Sequence, residues 1–252
     1  NGEKYLKKTL ESIKKQEYSN WELIFWDNQS SDNSKKIFDS FKDQRFKYYY
    51  ADKHTTLYEA RNLACKKSQG QFIAFLDCDD WWYENFLSSR SSFFDNEKYD
   101  FSYSNCHFYF EKSNRQEIYT KNRLLSGKIY NFLSKNYLVN VNSLVVRKNS
   151  LERINFFNPK FNIIGDFDAV MKISKDGEAL AFQEPLACVR IHGKNFHDEN
   201  RKMFFKEYKS WFFSQLNDDN FKKNRILFLK RLIYLYFVSL FPKFIKDFFK
   251  KK

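Results

Sequence analysis

From Tyr5 onward, Leu6, Leu10 and Ile13 recur at spacings of four and three with lysines between them, which predicts a short amphipathic helix. The period then changes. Trp21-Glu22-Leu23-Ile24-Phe25-Trp26 is an aromatic and β-branched run of strand length, and the polar cluster Asp27-Asn28-Gln29-Ser30-Ser31-Asp32 after it reads as a strand-to-helix loop. Ile37, Phe38 and Phe41 continue as a helix, Phe46 to Tyr50 reads as a second strand, and Leu57 to Ser68 as a further helix ended by Gly70. Phe72-Ile73-Ala74-Phe75-Leu76 is a continuous apolar run, the pattern of a strand buried on both faces. This alternation over the first 90 residues predicts an α/β fold of βαβ units, a mostly parallel central sheet with helices on both faces. In such sheets ligands bind at the carboxyl ends of the strands.

Beyond residue 90 the pattern weakens: Tyr99 to Tyr103, Val141 to Arg147 and Leu186 to Ile191 read as strands, and Asp166 to Ser174 as a helix. No internal repeat is visible. From Asn200 the chain reads as a helical extension rich in Phe and Lys. Its uninterrupted apolar part, Leu232 to Phe241, is about half of the roughly 20 residues a membrane-spanning helix needs.

The 252 residues are 42% hydrophobic and 30% charged, which excludes a disordered or fibrous chain. With only 6 Gly and 3 Pro, no flexible tether marks a domain boundary. Against 31 acidic residues stand 44 basic ones, a net charge of +13 that attracts anions: nucleotide phosphates, lipid headgroups or nucleic acid. Cys65, Cys78, Cys106 and Cys188 contain no C-x-x-C pair, so reduced thiols and a cytoplasmic location are expected. No basic segment followed by an apolar core precedes residue 20, so no secretory signal is expected in this stretch.

Asp77-Cys78-Asp79-Asp80 places three carboxylates directly after the apolar strand. Their mutual repulsion is relieved most simply by a divalent cation, and oxygen ligands suit Mg²⁺ or Mn²⁺. The plainer alternative makes Asp80 the cap of a helix beginning near Trp81, and the other two solvated loop acids.

The order of motifs resembles the family 2 glycosyltransferases, enzymes of the Rossmann-like GT-A fold that use nucleotide-diphosphate sugars. Asn1-Gly2-Glu3-Lys4-Tyr5-Leu6 is similar to the segment after that family's first strand, and Trp26 to Asp32 to its hydrophobic-D-[DN]-G-S-T-D loop, with Gln29 where Gly is usual. Ala60-Arg61-Asn62 matches A-R-N, and Gly70 to Trp81 matches the strand ending in D-x-D-D. The resemblance implies that Asp27 and Asn28 contact the nucleobase or ribose, that Arg61 holds the nucleotide, that Asp77 lies near the ribose, and that Asp79 ligates Mn²⁺ or Mg²⁺ under the diphosphate. Gly165-Asp166-Phe167-Asp168 resembles E-D-x-D with Gly in place of Glu, which implies Asp166 as general base in an inverting reaction; a helix cap is the plainer role. Arg190-Ile191-His192-Gly193-Lys194-Asn195 is similar to a late R-x-H-x-x-[NS] segment, implying a metal or phosphate role for His192 and stabilisation of the leaving diphosphate by Arg190 and Lys194.

The family's first strand, which ends just before Asn1-Gly2, has no counterpart here, and its absence is expected to leave a sheet edge uncovered. The expected organisation is a GT-A domain over 1–199, with a nucleotide-sugar half to about 95 and an acceptor half from about 96, followed by a helical extension over 200–252. The expected partners are a donor sugar nucleotide, UDP-linked by family weight, and a saccharide or lipid-linked acceptor of surface-polysaccharide synthesis; nucleic acid is not expected. Lys222, Lys223, Arg225, Lys230 and Arg231, alternating with apolar residues, read either as a membrane-surface helix or as a packed helix with a solvated basic face. The first places the enzyme peripherally on the inner face of the membrane. Outside the family, the alternatives are a non-catalytic basic module binding nucleic acid or membrane, and a transferase fold without turnover.

Overall fold

The computed structural model describes residues 1–193 and 195–240, with His197 and Asp198 described in backbone only. The first part alternates as the apolar pattern dictates: α1 Leu6–Lys14, β1 Leu23–Asp27, α2 Ser34–Asp39, β2 Phe46–Tyr50, α3 Leu57–Lys67, β3 Phe72–Ala74 and β4 Trp81–Trp82. There follow α4 Ser91–Phe94, β5 Phe101–Phe110, β6 Arg115–Ile118, α5 Tyr130–Lys135, β7 Val145–Arg147, α6 Lys148–Arg153, α7 Gly165–Ile173 and β8 Ala179–Ile191. Helices α8 Phe196–Glu199, α9 Arg201–Ser214 and α10 Asp219–Leu240 complete the described chain.

Helix α1 buries Leu6, Leu10 and Ile13, and with Phe38 of α2 it covers one face of the parallel pair β1–β2. Helix α3 starts where the Thr56 hydroxyl accepts the Glu59 N–H at 3.2 Å, an N-cap that satisfies one otherwise orphaned amide. The larger sheet has the order β3-β7-β5-β8-β4, with β6 paired to the outer part of β5. Only β5–β8 is parallel in it; β3–β7, β5–β7, β4–β8 and β5–β6 are antiparallel. The α/β class therefore stands, while the mostly parallel sheet expected from the alternation is a mixed one. The alternation ends after β3, and from there strands return by hairpins and long crossings that local periodicity does not encode. The β5–β8 register shifts around Asn105, opposite Pro185, whose missing N–H cannot serve a ladder. The Asn105 side chain closes the gap through Cys106 N, Thr120 N and Thr120 O.

Among the described residues β1 and β3 each pair on one side only. Tyr208, Trp211, Phe212, Phe221, Phe228 and Leu235 of α9 and α10 join the same core as Tyr58, Phe75, Phe101 and Val146. All four cysteines are free thiols. Among the described residues no helix is long and apolar enough to cross a membrane.

Candidate active site

The chain after β3 folds into a turn closed by the Asp80 N–H donating to Asp77 O at 3.1 Å. Three elements hold this turn. From α1, the Thr9 hydroxyl lies 2.9 Å from Cys78 O and 2.7 Å from Asp80 O. Asn142, just before β7, accepts the Asp77 N–H at 2.8 Å and donates to the Asp80 carboxylate at 2.5 Å. From β8, the Arg190 N–H donates to the other Asp80 oxygen at 2.7 Å. Gly2 lies against the turn so closely that a Cβ there would meet Cys78 Sγ at 3.0 Å, which is why the amino-terminal segment carries glycine at this contact.

These contacts separate the three carboxylates. Asp80 is 4% exposed, and burial together with the Asp79 and Asp77 charges pushes its carboxyl well above the usual range. It is a structural acid that ties β3, β7 and β8 together. It does not cap a helix, because Trp81 and Trp82 extend as β4 against β8. Asp77 pairs with Arg61 of α3 at 2.5 Å. Asp79 faces His192 with Oδ2 3.0 Å from Nε2, and burial followed by repulsion from Asp77 raises its carboxyl. The His192 ring stacks on Tyr5 with centroids 5.4 Å apart.

Arg190 is 8% exposed, its guanidinium among the rings of Tyr5, Trp81 and Tyr109, with Nε donating to Asp79 O at 3.0 Å and Nη1 3.9 Å from Glu111. Glu111 also accepts from the Tyr5 hydroxyl at 2.9 Å. The predicted group Asp79, His192 and Arg190 is thus assembled from chain segments more than 100 residues apart. Lys194 lies outside the described residues.

Asp27 and Asn28 form a separate station at the carboxyl end of β1. Asp27 is 3% exposed and accepts from Ser30 N at 2.7 Å and from the Tyr48 hydroxyl at 2.6 Å. Asn28 clamps Thr55, donating to its carbonyl at 2.9 Å and accepting its N–H at 3.1 Å. Gln29 takes the left-handed conformation, φ 68°, that the usual glycine supplies, and its amide donates to Asp52 O at 3.0 Å. The loop keeps its shape without glycine because that side chain anchors it.

Asp166 is the second residue of α7 and half-buried. The Tyr58 hydroxyl donates to its Oδ1 at 2.7 Å. Burial raises the Asp166 carboxyl, while the Tyr58 hydrogen bond and the Arg61 charge pull it part of the way back. Tyr58 remains protonated, since burial and the Asp166 charge raise its hydroxyl far above the ordinary range. A Cβ on residue 165 would come within 2.3 Å of Tyr58 Cγ, so glycine here is the condition for Tyr58 to reach Asp166. Arg61 lies under the same pair, its guanidinium 5.0 Å from the Tyr58 ring centre, with Nη1 buried and unpartnered. Asp168, 2% exposed, pairs with Lys172 at 2.7 Å.

Sequence reasoning passed over Asn142, Tyr58, Tyr5 and Glu111. Only Tyr58 carried a signal, the glycine that replaces Glu at 165. Among the described residues no cluster of three or more His, Cys, Asp or Glu side chains could hold a metal ion by itself. Asp79 and His192 offer two ligands, one carboxylate and one imidazole.

The model of one family, glycosyl transferase family 2, matches residues 1–157. The Escherichia coli UDP-Glc:alpha-D-GlcNAc-diphosphoundecaprenol beta-1,3-glucosyltransferase WfgD is 31% identical over 209 residues, which cover 83% of this chain and 79% of WfgD. WfaP of the same organism, bearing the same activity in its name, is 39% identical over 104 residues, 41% of each chain. Among solved structures, S. aureus TarS in complex with UDP-GlcNAc superposes with a TM-score of 0.66 at 16% identity, covering 86% of this chain and 64% of that one. The chain thus spans just under two thirds of that TarS chain. The Pyrobaculum calidifontis mannosyltransferase PcManGT, solved with GDP-Man and Mn²⁺, gives 0.65 at 14% identity, covering 94% and 67%. These likenesses show the GT-A fold. With the family's model matching residues 1–157 and WfgD 31% identical over most of both chains, the chain belongs to glycosyl transferase family 2 and is a glycosyltransferase.

Proposed function

We propose that the enzyme transfers a hexosyl group, with inversion, from a UDP-sugar to a hydroxyl of a saccharide or lipid-linked acceptor in surface-polysaccharide synthesis, at the cytoplasmic face of the membrane. The observation that carries this reading is the approach of Asp79 and His192 to 3.0 Å beside the Asp77–Arg61 pair. A nucleotide sugar is what such a site serves, and the names of WfgD and TarS, which carry UDP-linked sugars, support the choice of UDP and of a lipid-linked acceptor. Asp79 and His192 would hold Mn²⁺ or Mg²⁺. When bound, the cation supplies Lewis-acid stabilisation of the departing diphosphate.

The protein's own groups take the remaining roles. Asp77, held by Arg61, is assigned to the ribose, and Asp27 and Asn28 to the nucleobase end through the loop they fix. Arg190 lies behind the turn and orients Asp79 through its backbone carbonyl; its charge and that of Lys194 favour the developing diphosphate anion. Asp166 accepts the proton of the acceptor hydroxyl as its oxygen bonds to the anomeric carbon, and the bond to the diphosphate oxygen breaks with its electron pair leaving on UDP. One displacement inverts the anomeric configuration.

Donor turnover in the presence of Mn²⁺, compared between wild type and Asp79→Ala, tests the reading. Loss of a cation worth several kcal/mol at the leaving group predicts a fall on the order of a hundredfold or more. Equal turnover, or a product that retains the donor's anomeric configuration by NMR, overturns it.

A further inference from the structure

Helix α10 is apolar on two opposite faces. Phe221, Phe228 and Leu235 point inward, packed with Trp211 and Phe212 of α9. Ile226, Leu229, Ile233, Phe237 and Leu240 recur every three or four residues and, at 100° per residue, form a stripe on the other side. They are 71%, 41%, 48%, 53% and 55% exposed. An apolar stripe of this length on a helix whose opposite face is already packed is ordinarily covered by a partner surface. The cover has a definite charge: Lys222, Lys223, Arg225 and Lys230 are exposed along the same helix, whose acidic residues amount to Asp219 alone. Arg231 takes no part, since its guanidinium is turned inward over the rings of Phe167 and Tyr208.

We propose that this outer face of α10 docks on an anionic lipid bilayer, the apolar stripe entering the boundary between headgroups and acyl chains and the four cations contacting lipid phosphates. A stripe flanked by long basic side chains is what an interfacial helix requires, because lysine and arginine reach back to the headgroups while their stems lie along the acyl chains. A second copy of the chain is a poorer cover: α10 carries one acidic residue, Asp219, already paired with Lys222 at 2.9 Å, so a two-fold contact of α10 on itself leaves Lys223, Arg225 and Lys230 without an acidic partner on the facing helix. The docking has a consequence for the reaction. Glu207 of α9 accepts the N–H groups of Asn162, Ile163 and Ile164 at 2.8, 2.9 and 3.2 Å, and these residues lead directly into α7. The hairpin that carries the docking face is therefore fastened to the segment that leads into Asp166.

The test is flotation of the full chain with vesicles of phosphatidylcholine alone and of phosphatidylcholine mixed with phosphatidylglycerol, without donor, so the outcome is independent of the nucleotide reading. Wild type is expected to float with the anionic vesicles and to be released by high salt. Ile233→Ser with Phe237→Ser, two exposed positions whose change leaves the core intact, is expected to weaken binding about tenfold or more. Lys222→Glu with Lys230→Glu is expected to abolish the preference for anionic lipid. Circular dichroism and turnover of donor with a soluble acceptor, unchanged in both variants, show that the fold survives. Flotation unaffected by either pair, or equal binding to neutral vesicles, overturns the proposal. A concentration-dependent dimer that the Ile233/Phe237 change dissolves, seen by light scattering without lipid, overturns it in favour of a second copy.

Discussion

Tyr58→Phe removes the hydroxyl that donates to the base, Asp166, and leaves the Tyr58 ring in place. In the wild type the hydroxyl donates to Asp166 Oδ1 at 2.7 Å, a hydrogen bond to the ionised form, which holds the carboxyl down against the effect of burial. A hydrogen bond to a charged group contributes about 1.5–3 kcal/mol. Its loss raises the Asp166 carboxyl further above the ordinary carboxylate range. The sign follows directly: a base with a higher proton affinity stays protonated over a wider acid range, so the acid limb of the rate profile moves to higher pH. Arg61, on the same helix, still opposes that rise, while the half-buried Tyr137, whose hydroxyl is buried, stays neutral because burial and the Asp166 charge both raise that hydroxyl.

The assay is kcat and kcat/KM for donor and acceptor between about pH 5 and pH 9, the range in which such a shift of a carboxylate becomes visible. The expected result is an acid limb displaced to higher pH, donor KM unchanged, and activity recovering at alkaline pH. A merely structural role for Tyr58 lowers the rate at every pH and cannot be rescued by raising it. Superimposable limbs in wild type and variant refute the reasoning about Tyr58. Full activity of Asp166→Asn refutes the assignment of the base itself, so the two failures are distinguishable.

Two further substitutions probe what holds the site. Gly165→Ala drives a methyl group into the Tyr58 ring, and is expected to cost about 1–3 kcal/mol in urea unfolding and to be partly relieved when Tyr58→Ala is added. Additive losses in that double variant would show that the two positions do not share one space. Asn142→Ala leaves the Asp77 N–H and the buried Asp80 carboxyl short of a partner, and is expected to destabilise by about 1–3 kcal/mol while lowering donor turnover. Unchanged stability by the same measurement would mean that the turn is held by Thr9 and Arg190 alone.

The elements up to β3 were legible because each buries one face, so that Leu6, Leu10 and Ile13 reveal a helix without knowledge of its partner. The direction of the later strands was not. Whether β8 runs parallel to β5 is settled by pairing across about 80 residues, and a local apolar run is compatible with either sense. The same limit explains Asp80. Within Asp77-Cys78-Asp79-Asp80 the three acids look alike, and only Arg190 N–H and Asn142, 110 and 62 residues away, determine which of them is buried and structural. Motif spacing finds where carboxylates gather; it does not distribute the work among them.

Gly165 shows how a departure from a motif can be read. Against the E-D-x-D pattern it looks like a loss at the position next to the base. In three dimensions the space of the missing side chain belongs to Tyr58, three residues before Arg61 on a helix whose sequence pattern is unexceptional, and Tyr58 delivers to Asp166 the hydrogen bond that orients it. The exchange is physically coherent: a large residue from α3 enters because α7 gives up its Cβ, and a neutral donor beside a half-buried carboxylate avoids setting a second negative charge against it. A substitution that removes a side chain is therefore weighed by what occupies the vacated volume, and here the occupant is a group that acts on the base.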